Sequence, residues 1–330
     1  MIKREIDKIL NTLKIQPVLV DIGASGTAPA QWKSIAKRSI YVGFDPDRRE
    51  LHENTNGQYA RSIIVNEAVT DLSGQNKVNF YLTHSPYCSS MLSPDTEALS
   101  QYLFSDLFAV EKEVAVKASS LNDIIDRLGL QGVDWFKTDS QGIDLRLFQS
   151  LKDDLRNRIL AVDIEPGLID AYQGEDLFVD AHRELLRQGF WLSSLEVKGS
   201  VRMKRATLQF VTSRYPGLKD DRIYDVVRSS PGWCEARYLR TVVSLKKRNA
   251  GRRDYVLLWV FAVIERQWGY ALDIAYAYEQ QFGRDDILEQ LSSVPMKKIL
   301  VLNPVKSLRR FVKLLLPQAF RKRIRKLITR

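Results

Sequence analysis

The stretch Val18-Leu-Val-Asp-Ile-Gly-Ala-Ser-Gly26 constrains this chain more than any other. An apolar run that ends in an acidic residue and then meets two glycines three apart reads as a buried strand turning sharply toward a helix around a ligand. Tyr41-Val-Gly-Phe-Asp45 repeats the strand half of that pattern. Gly23 and Gly26, with Ala24 between them, let the backbone approach a ligand closely, and the amides opening the next helix are expected to point at it. Asp45 closes the second strand 19 residues beyond Gly26, where a carboxylate can accept both hydroxyls of an adenosine ribose.

NAD and S-adenosylmethionine (SAM) share that adenosine, so the rest of the cofactor discriminates. NAD places a doubly charged pyrophosphate on the turn, close to Asp21, whereas SAM places an ammonium and a sulfonium there. Asp21 therefore favours SAM. Pro29-Ala30 stands where the third glycine of a full dinucleotide fingerprint would be.

The pattern continues as strand, helix, strand. Candidate strands are 17–22, 40–44, 62–66, 77–82, 114–118, 133–138, 159–164, 190–196 and 205–212, with helices over 29–37, 121–128, 144–151 and 175–188 between several of them. This alternation predicts an α/β fold with a doubly wound, mostly parallel sheet. The last two candidate strands, 190–196 and 205–212, would form a closing antiparallel hairpin. Residues 2–14 carry apolar positions at helical spacing and predict a helix across one sheet edge.

After Tyr215-Pro-Gly217 the character becomes helical, and Trp259, Ile264, Trp268, Ala271, Ala275 and Tyr278 read as packed faces of a hairpin turning near Trp268-Gly269. The expected division is 1–215 for the α/β domain, 216–300 for a helical appendix and 301–330 for a basic amphipathic tail. At 330 residues and 45% apolar content the chain can fill such a core. Its longest apolar run, Tyr255 to Ile264, is about half of the ~20 residues needed to span a bilayer.

The net charge of +10 has one address. Ten basic residues and no acidic one lie between Lys306 and Arg330, which leaves 40 of each sign over the rest of the chain. Apolar residues recur every three or four positions in that tail, so it can lie on an anionic membrane surface without crossing it. Packing on the appendix and nucleic-acid binding are the competing readings; few stacking aromatics and no glycine-arginine pattern count against nucleic acid. Cys88 and Cys234 make no metal spacing, and the first ten residues lack the apolar core and cleavage site of a signal peptide. A cytoplasmic protein, peripheral at the membrane face, is the expectation.

Chemistry is expected at two further strand ends. Val133-Asp-Trp-Phe-Lys-Thr-Asp-Ser-Gln-Gly142 would deliver Lys137, Asp139 and Gln141 to the ligand crevice, and Ile159-Leu-Ala-Val-Asp-Ile-Glu165 would deliver Glu165. Asp139 is the first candidate for a general base, with Lys137 setting its charge state; the loop histidine His84 is the second. Asp139 and Glu165 alone do not make a metal site, and none is expected.

Taken in order, Val-Asp-Ile-Gly-Ala-Ser-Gly, Gly43-Phe-Asp-Pro, Asn66-Glu-Ala-Val-Thr-Asp-Leu-Ser-Gly74, Ser119-Ser-Leu-Asn-Asp-Ile-Ile125 and Phe136-Lys-Thr-Asp-Ser-Gln-Gly142 resemble the FkbM-type SAM-dependent methyltransferases over roughly residues 15 to 213. The resemblance implies a seven-stranded class I methyltransferase (Rossmann-like) sheet and methyl transfer, most often to oxygen in sugars or natural products. It adds Glu67 and Ala68 to the cofactor-binding residues. The commoner form of the last motif has Glu where this chain has Gln141, which removes one carboxylate from the reacting centre. An inactive scaffolding module and an RNA methyltransferase are the alternatives to O-methylation of a saccharide or glycolipid. Acceptor-binding loops are expected at 83–113 and within 216–300, and the oligomeric state is left open.

Overall fold

The computed structural model describes residues 2–25, 28–47, 57–218 and 220–300. Gly26 and the basic tail 301–330 lie outside the described residues. The strands are β1 (Val18–Ile22), β2 (Ile40–Phe44), β3 (Arg61–Val65), β4 (Ala68–Thr70), β5 (Lys77–Thr83), β6 (Val110–Ser120), β7 (Trp135–Thr138), β8 (Ala161–Ile164), β9 (Phe190–Val201) and β10 (Ser229–Arg240). The helices are α1 (Ile2–Thr12), α2 (Thr96–Leu99), α3 (Leu121–Arg127), α4 (Asp144–Ser150), α5 (Asp153–Arg158), α6 (Phe178–Arg187), α7 (Arg205–Arg214), α8 (Asp220–Val226), α9 (Val242–Lys247), α10 (Arg252–Ile264), α11 (Trp268–Phe282) and α12 (Asp286–Leu300).

Seven strands form one sheet in the order β3-β2-β1-β7-β8-β10-β9. The first five run parallel, and β10 is antiparallel to both of its neighbours. This is the class I methyltransferase sheet, closing antiparallel hairpin included. Its centre reads as apolar runs, each interrupted by a single aspartate, because both faces are covered: Val18–Ile22 is buried throughout, and so is Ala161–Ile164.

Three expectations are corrected. The segment 205–212 is helix α7, and the strand that closes the hairpin is β10 at 229–240, so the sheet continues past residue 215. Candidate strands 77–82 and 114–118 belong to a separate three-stranded sheet, β4-β6-β5. The helix expected over 29–37 is two short 3-10 turns, Ala30–Ser34 and Ala36–Arg38, so no long helix with an aligned dipole follows β1.

That last difference explains the position of the C-terminal helices. Alternation along β1, β2 and β7 sends Val20, Ile22, Val42 and Phe136 to one face, where α3, α4 and α6 pack, and Leu19, Tyr41 and Trp135 to the other. On this second face α1 and α10 complete the cover that short 3-10 turns cannot. Tyr255 to Val263 of α10 are all buried, because the sheet lies on one side, with Trp135 against Phe261 at 4.7 Å, and α11 and α12 lie on the other. A helix apolar all round is the sequence signature of such a position. Two partly buried ionic contacts pin its ends: Arg253 makes a bidentate pair with Asp134 (2.7 and 2.8 Å), and Arg237 links Glu265 (2.8 Å) to Asp163 (2.6 Å). Helix α1 packs on α12 and the 3-10 turns, on that same face rather than across an edge. The hairpin of α10 and α11 turns at 265–267, next to the expected Trp268-Gly269. No helix among the described residues is long and apolar enough to cross a membrane.

Candidate active site

Because β1, β2, β7 and β8 are parallel and in register, their carboxyl ends arrive together. Ile22 pairs with Phe44 on one side and Thr138 on the other, and Thr138 pairs with Ile164. The residues just beyond these ends, Gly23, Asp45, Asp139 and Glu165, are therefore brought to one edge of the sheet, as open parallel sheets do at the point where strand order reverses.

Two cavities meet there. The first is lined by Gly23, Ser25, Asp45, Asp47, Glu67, Ala68 and the apolar side chains of Phe44, Val69, Phe80 and Met91. The second, of about 420 Å³, has aromatic walls from Tyr87, Phe104, Phe108, Tyr172 and Trp233, and carboxyl groups from Glu165 and Glu175. Tyr87, Asp139 and Gln141 line both. Among the described residues, neither cavity is lined by a lysine, arginine or histidine.

Gly23 has φ +75°, and a Cβ there would stand 2.2 Å from the carbonyl oxygen of Asp139. Only glycine permits both this conformation and this contact. The amides of Gly23 and Ala24 both donate to the Phe44 carbonyl (2.9 Å each). They close the turn against β2 rather than pointing at a ligand.

Asp45 is buried at the end of β2, its Oδ1 accepting from the Asp47 amide at 2.8 Å. Burial raises its pKa to about 6. Glu67 is held by Lys117 (2.7 Å), Ser119 (2.6 Å) and Arg127 (3.2 Å). These donors, which depress its pKa against the opposing effect of burial, place its carboxylate as a brace between β3 and β6, while the adjoining backbone forms the cavity wall.

Asp139 is the centre of a hydrogen-bonded network. Gln141 Nε2 donates to its Oδ1 at 2.5 Å, and Tyr172 donates its hydroxyl to Gln141 Oε1 at 2.8 Å. Ser90 donates to the Gln141 carbonyl at 2.6 Å, which holds Gln141 in a left-handed conformation at φ +57°. Burial raises the pKa of Asp139 against the opposing charge of Lys137. Burial, then the charges of Asp139 and Asp144, push Glu165 up to about 9. Glu165 is thus protonated near neutrality and is placed to hydrogen-bond Asp139. Asp144 underpins the loop by accepting from Thr138 (2.7 Å) and from the backbone and hydroxyl of Ser140 (2.9 and 2.6 Å).

The expected residues divide accordingly. Asp45, Asp139, Glu165, Gly23, Glu67 and Ala68 converge on the cavities. Asp21 does not: it is buried beneath the turn, on the opposite face of β1 from Val20 and Ile22, and Lys137 donates to it rather than to Asp139. The uncompensated carboxylate expected beside the cofactor is compensated. The charge argument passes instead to Asp45, Asp47 and Asp139, which line the first cavity. His84 lines neither cavity; its ring is exposed and bonds Glu111 at 2.9 Å.

Tyr172, Glu175 and Trp233 were not foreseen. Tyr172 and Glu175 follow Glu165 in the loop after β8, a position at which a parallel sheet's ligands bind; Trp233 sits beside Pro231-Gly232, which reads as a turn until β10 pairs with β9. Of the segments expected to carry the acceptor, residues 85–108 and 232–233 contribute to the wall of the second cavity.

The methyltransferase FkbM domain family matches residues 21–192, just over half of the chain. No curated protein and no solved structure matches it. Sheet order, strand-end site and matched domain agree, and the chain belongs to the FkbM methyltransferase domain family.

Proposed function

We propose that this methyltransferase is SAM-dependent and methylates a hydroxyl of an uncharged saccharide or glycolipid. The observation that carries the reading is the shared wall: Asp139 and Gln141 face the cavity below the Gly23 turn and also the aromatic cavity beside it.

The first cavity fits SAM in composition. Asp45 would accept the ribose hydroxyls, Phe44, Val69 and Met91 would offer apolar surface to adenine, and Asp139 would lie toward the cationic end of the molecule, where a pyrophosphate would be repelled. SAM, when bound, supplies a methyl group already activated on a sulfonium. What remains for the chain is alignment, exclusion of water and removal of the acceptor's proton.

Asp139 is the proposed base. Gln141 fixes the orientation of its carboxylate, Glu165 shares its proton, and Lys137, bonded to Asp21, keeps positive charge nearby. Tyr172, Phe108 and Trp233 would stack on the apolar face of a sugar ring, and Glu175 would accept from its hydroxyls. Gln141 in place of Glu suits this role, because an amide can donate to Asp139 where a second carboxylate could not. The absence of lysine and arginine among the described lining residues speaks against a nucleic-acid acceptor.

The test is transfer of label from methyl-labelled SAM to glycan and glycolipid extracts, with the product identified by mass spectrometry. Label that is lost in Asp139→Asn supports the reading; label appearing only in RNA, or transfer unaffected by Asp139→Asn, overturns it. A peripheral position at the cytoplasmic membrane face, through Lys306–Arg330, is a separate proposal from sequence spacing. It requires liposome sedimentation to fall when that stretch is removed.

A further inference from the structure

Between the two strands of the closing hairpin the chain leaves the sheet for α7 and α8. This insertion is anchored by few residues. Leu208 and Ile223 pack with Val201 on Leu103, the first residue of the 3-10 turn Leu103–Phe108. Arg205 pairs with Asp106 of that turn at 2.7 Å, and Arg202 donates to the Tyr102 hydroxyl at 3.0 Å. The same turn contributes Phe104, Leu107 and Phe108 to the wall of the aromatic cavity. The insertion is therefore built onto the turn that walls the cavity.

It leaves an unusual surface in solvent. Phe210, Tyr215, Tyr224 and Val226 are 58%, 62%, 43% and 57% exposed. Large apolar side chains gathered in one short segment mark a contact surface, because leaving them in water forgoes their burial. Across 202–228, the insertion with its flanks, stand seven basic residues against three acidic ones, the flanking Arg202, Lys204 and Arg228 supplying three of the seven; Arg205 is taken up by Asp106, and the Arg214 guanidinium lies over the Phe210 ring at 5.5 Å. Aromatic side chains interleaved with a surplus of cations complement an anionic lipid headgroup layer: rings enter the interface while guanidinium and ammonium groups meet phosphates. A purely apolar protein partner would not call for the cations.

We propose that the insertion 205–226 docks the protein on an anionic bilayer surface, with Phe210 and Tyr215 entering the interface, so that the neighbouring aromatic cavity receives an acceptor carried by a lipid. The lipid-borne acceptor rests on the functional reading above; the docking does not.

Hydrogen exchange of the full chain tests it, read by mass spectrometry with phosphatidylglycerol-containing vesicles and with pure phosphatidylcholine vesicles. Exchange across 205–226 is expected to slow with the anionic vesicles only. Protection confined to 301–330, equal protection by neutral vesicles, or protection that appears without vesicles as protein concentration rises overturns the proposal, the last by identifying a second copy as the occupant. The double variant Phe210→Asp/Tyr215→Asp is expected to lower partition to anionic vesicles about tenfold or more, with SAM affinity by calorimetry unchanged. Undiminished partition in that variant also overturns it. Vesicle contact through 205–226 without methyl transfer to any lipid-linked glycan would retain the docking and sink the acceptor reading alone.

Discussion

The Lys137 ammonium sits 2.7 Å from Oδ1 of Asp21, on adjacent parallel strands and in direct register. The other oxygen of Asp21 accepts the Tyr41 hydroxyl at 3.0 Å. Both oxygens are thus used inside the protein, and the pair locks β1, β2 and β7 together directly below the Gly23 turn. Its two members are unequally buried, the Asp21 side chain being 3% and that of Lys137 24% exposed. Lys137→Met should therefore destabilise more than Asp21→Asn, by about 3 kcal/mol, since it strands a buried carboxylate, while the freed lysine can reach water. The double variant should recover much of the loss. Urea unfolding measures all three, and equal costs for the two single changes would contradict this account.

The strand-end carboxylate predicts a pH dependence of cofactor binding. Burial raises Asp45 to about 6, and only its ionised form can accept two ribose hydroxyls. Calorimetric SAM affinity should be steady above that pH and weaken below it, by up to about tenfold per unit. Asp45→Asn should bind weakly at every pH, with no such acid limb; a limb that persists in the variant would assign it to another group.

Gln141→Glu places a carboxylate where an amide now donates to Asp139 at 2.5 Å. The two acids would then share a proton, which removes base character from Asp139 until higher pH. The acid limb of the methyl-transfer profile should move up by about one unit or more, because a like charge in contact raises a carboxyl pKa. Tyr172 can still donate to Oε1, so folding should be little affected. An unmoved profile would show that Asp139 is not the base.

Glu165 makes a stability prediction with a definite sign. Its pKa is raised from an unfolded value near 4.5 to about 9, so the folded state holds a proton that the unfolded chain has released. The stability tied to this proton is fully present below pH ~4.5 and is lost as pH rises through ~9, at up to about 1.4 kcal/mol per unit. Glu165→Gln should flatten that part of the curve in urea titrations between pH 5 and 9. A slope equal to that of the unaltered protein would mean that Glu165 is ionised in the fold.

The sequence by itself determined the elements whose reasons are local. Val18–Ile22 and Tyr41-Val-Gly-Phe are strands because their apolar runs are bounded by turn residues. Helices α3 and α6 end where Gly129 and Gly189 take positive φ. Asp45, Asp139 and Glu165 reach one edge because each is the first residue after a parallel strand. Tertiary structure decided what depends on a distant partner. Residues 205–212 carry β-branched and aromatic side chains and read as a strand, but β9 pairs with 229–240 instead, leaving 205–212 to coil as a helix whose buried residue is Leu208. The alternation in β10, with Cys234, Ala236 and Tyr238 on one core and Leu239 on the other, is visible only once both neighbouring strands are in place. The partner of Lys137 was likewise beyond reach of the sequence. Asp139 is two residues away but beyond the strand's end; Asp21 is 116 residues away and directly opposite, and in a sheet register, not separation along the chain, decides which charges touch.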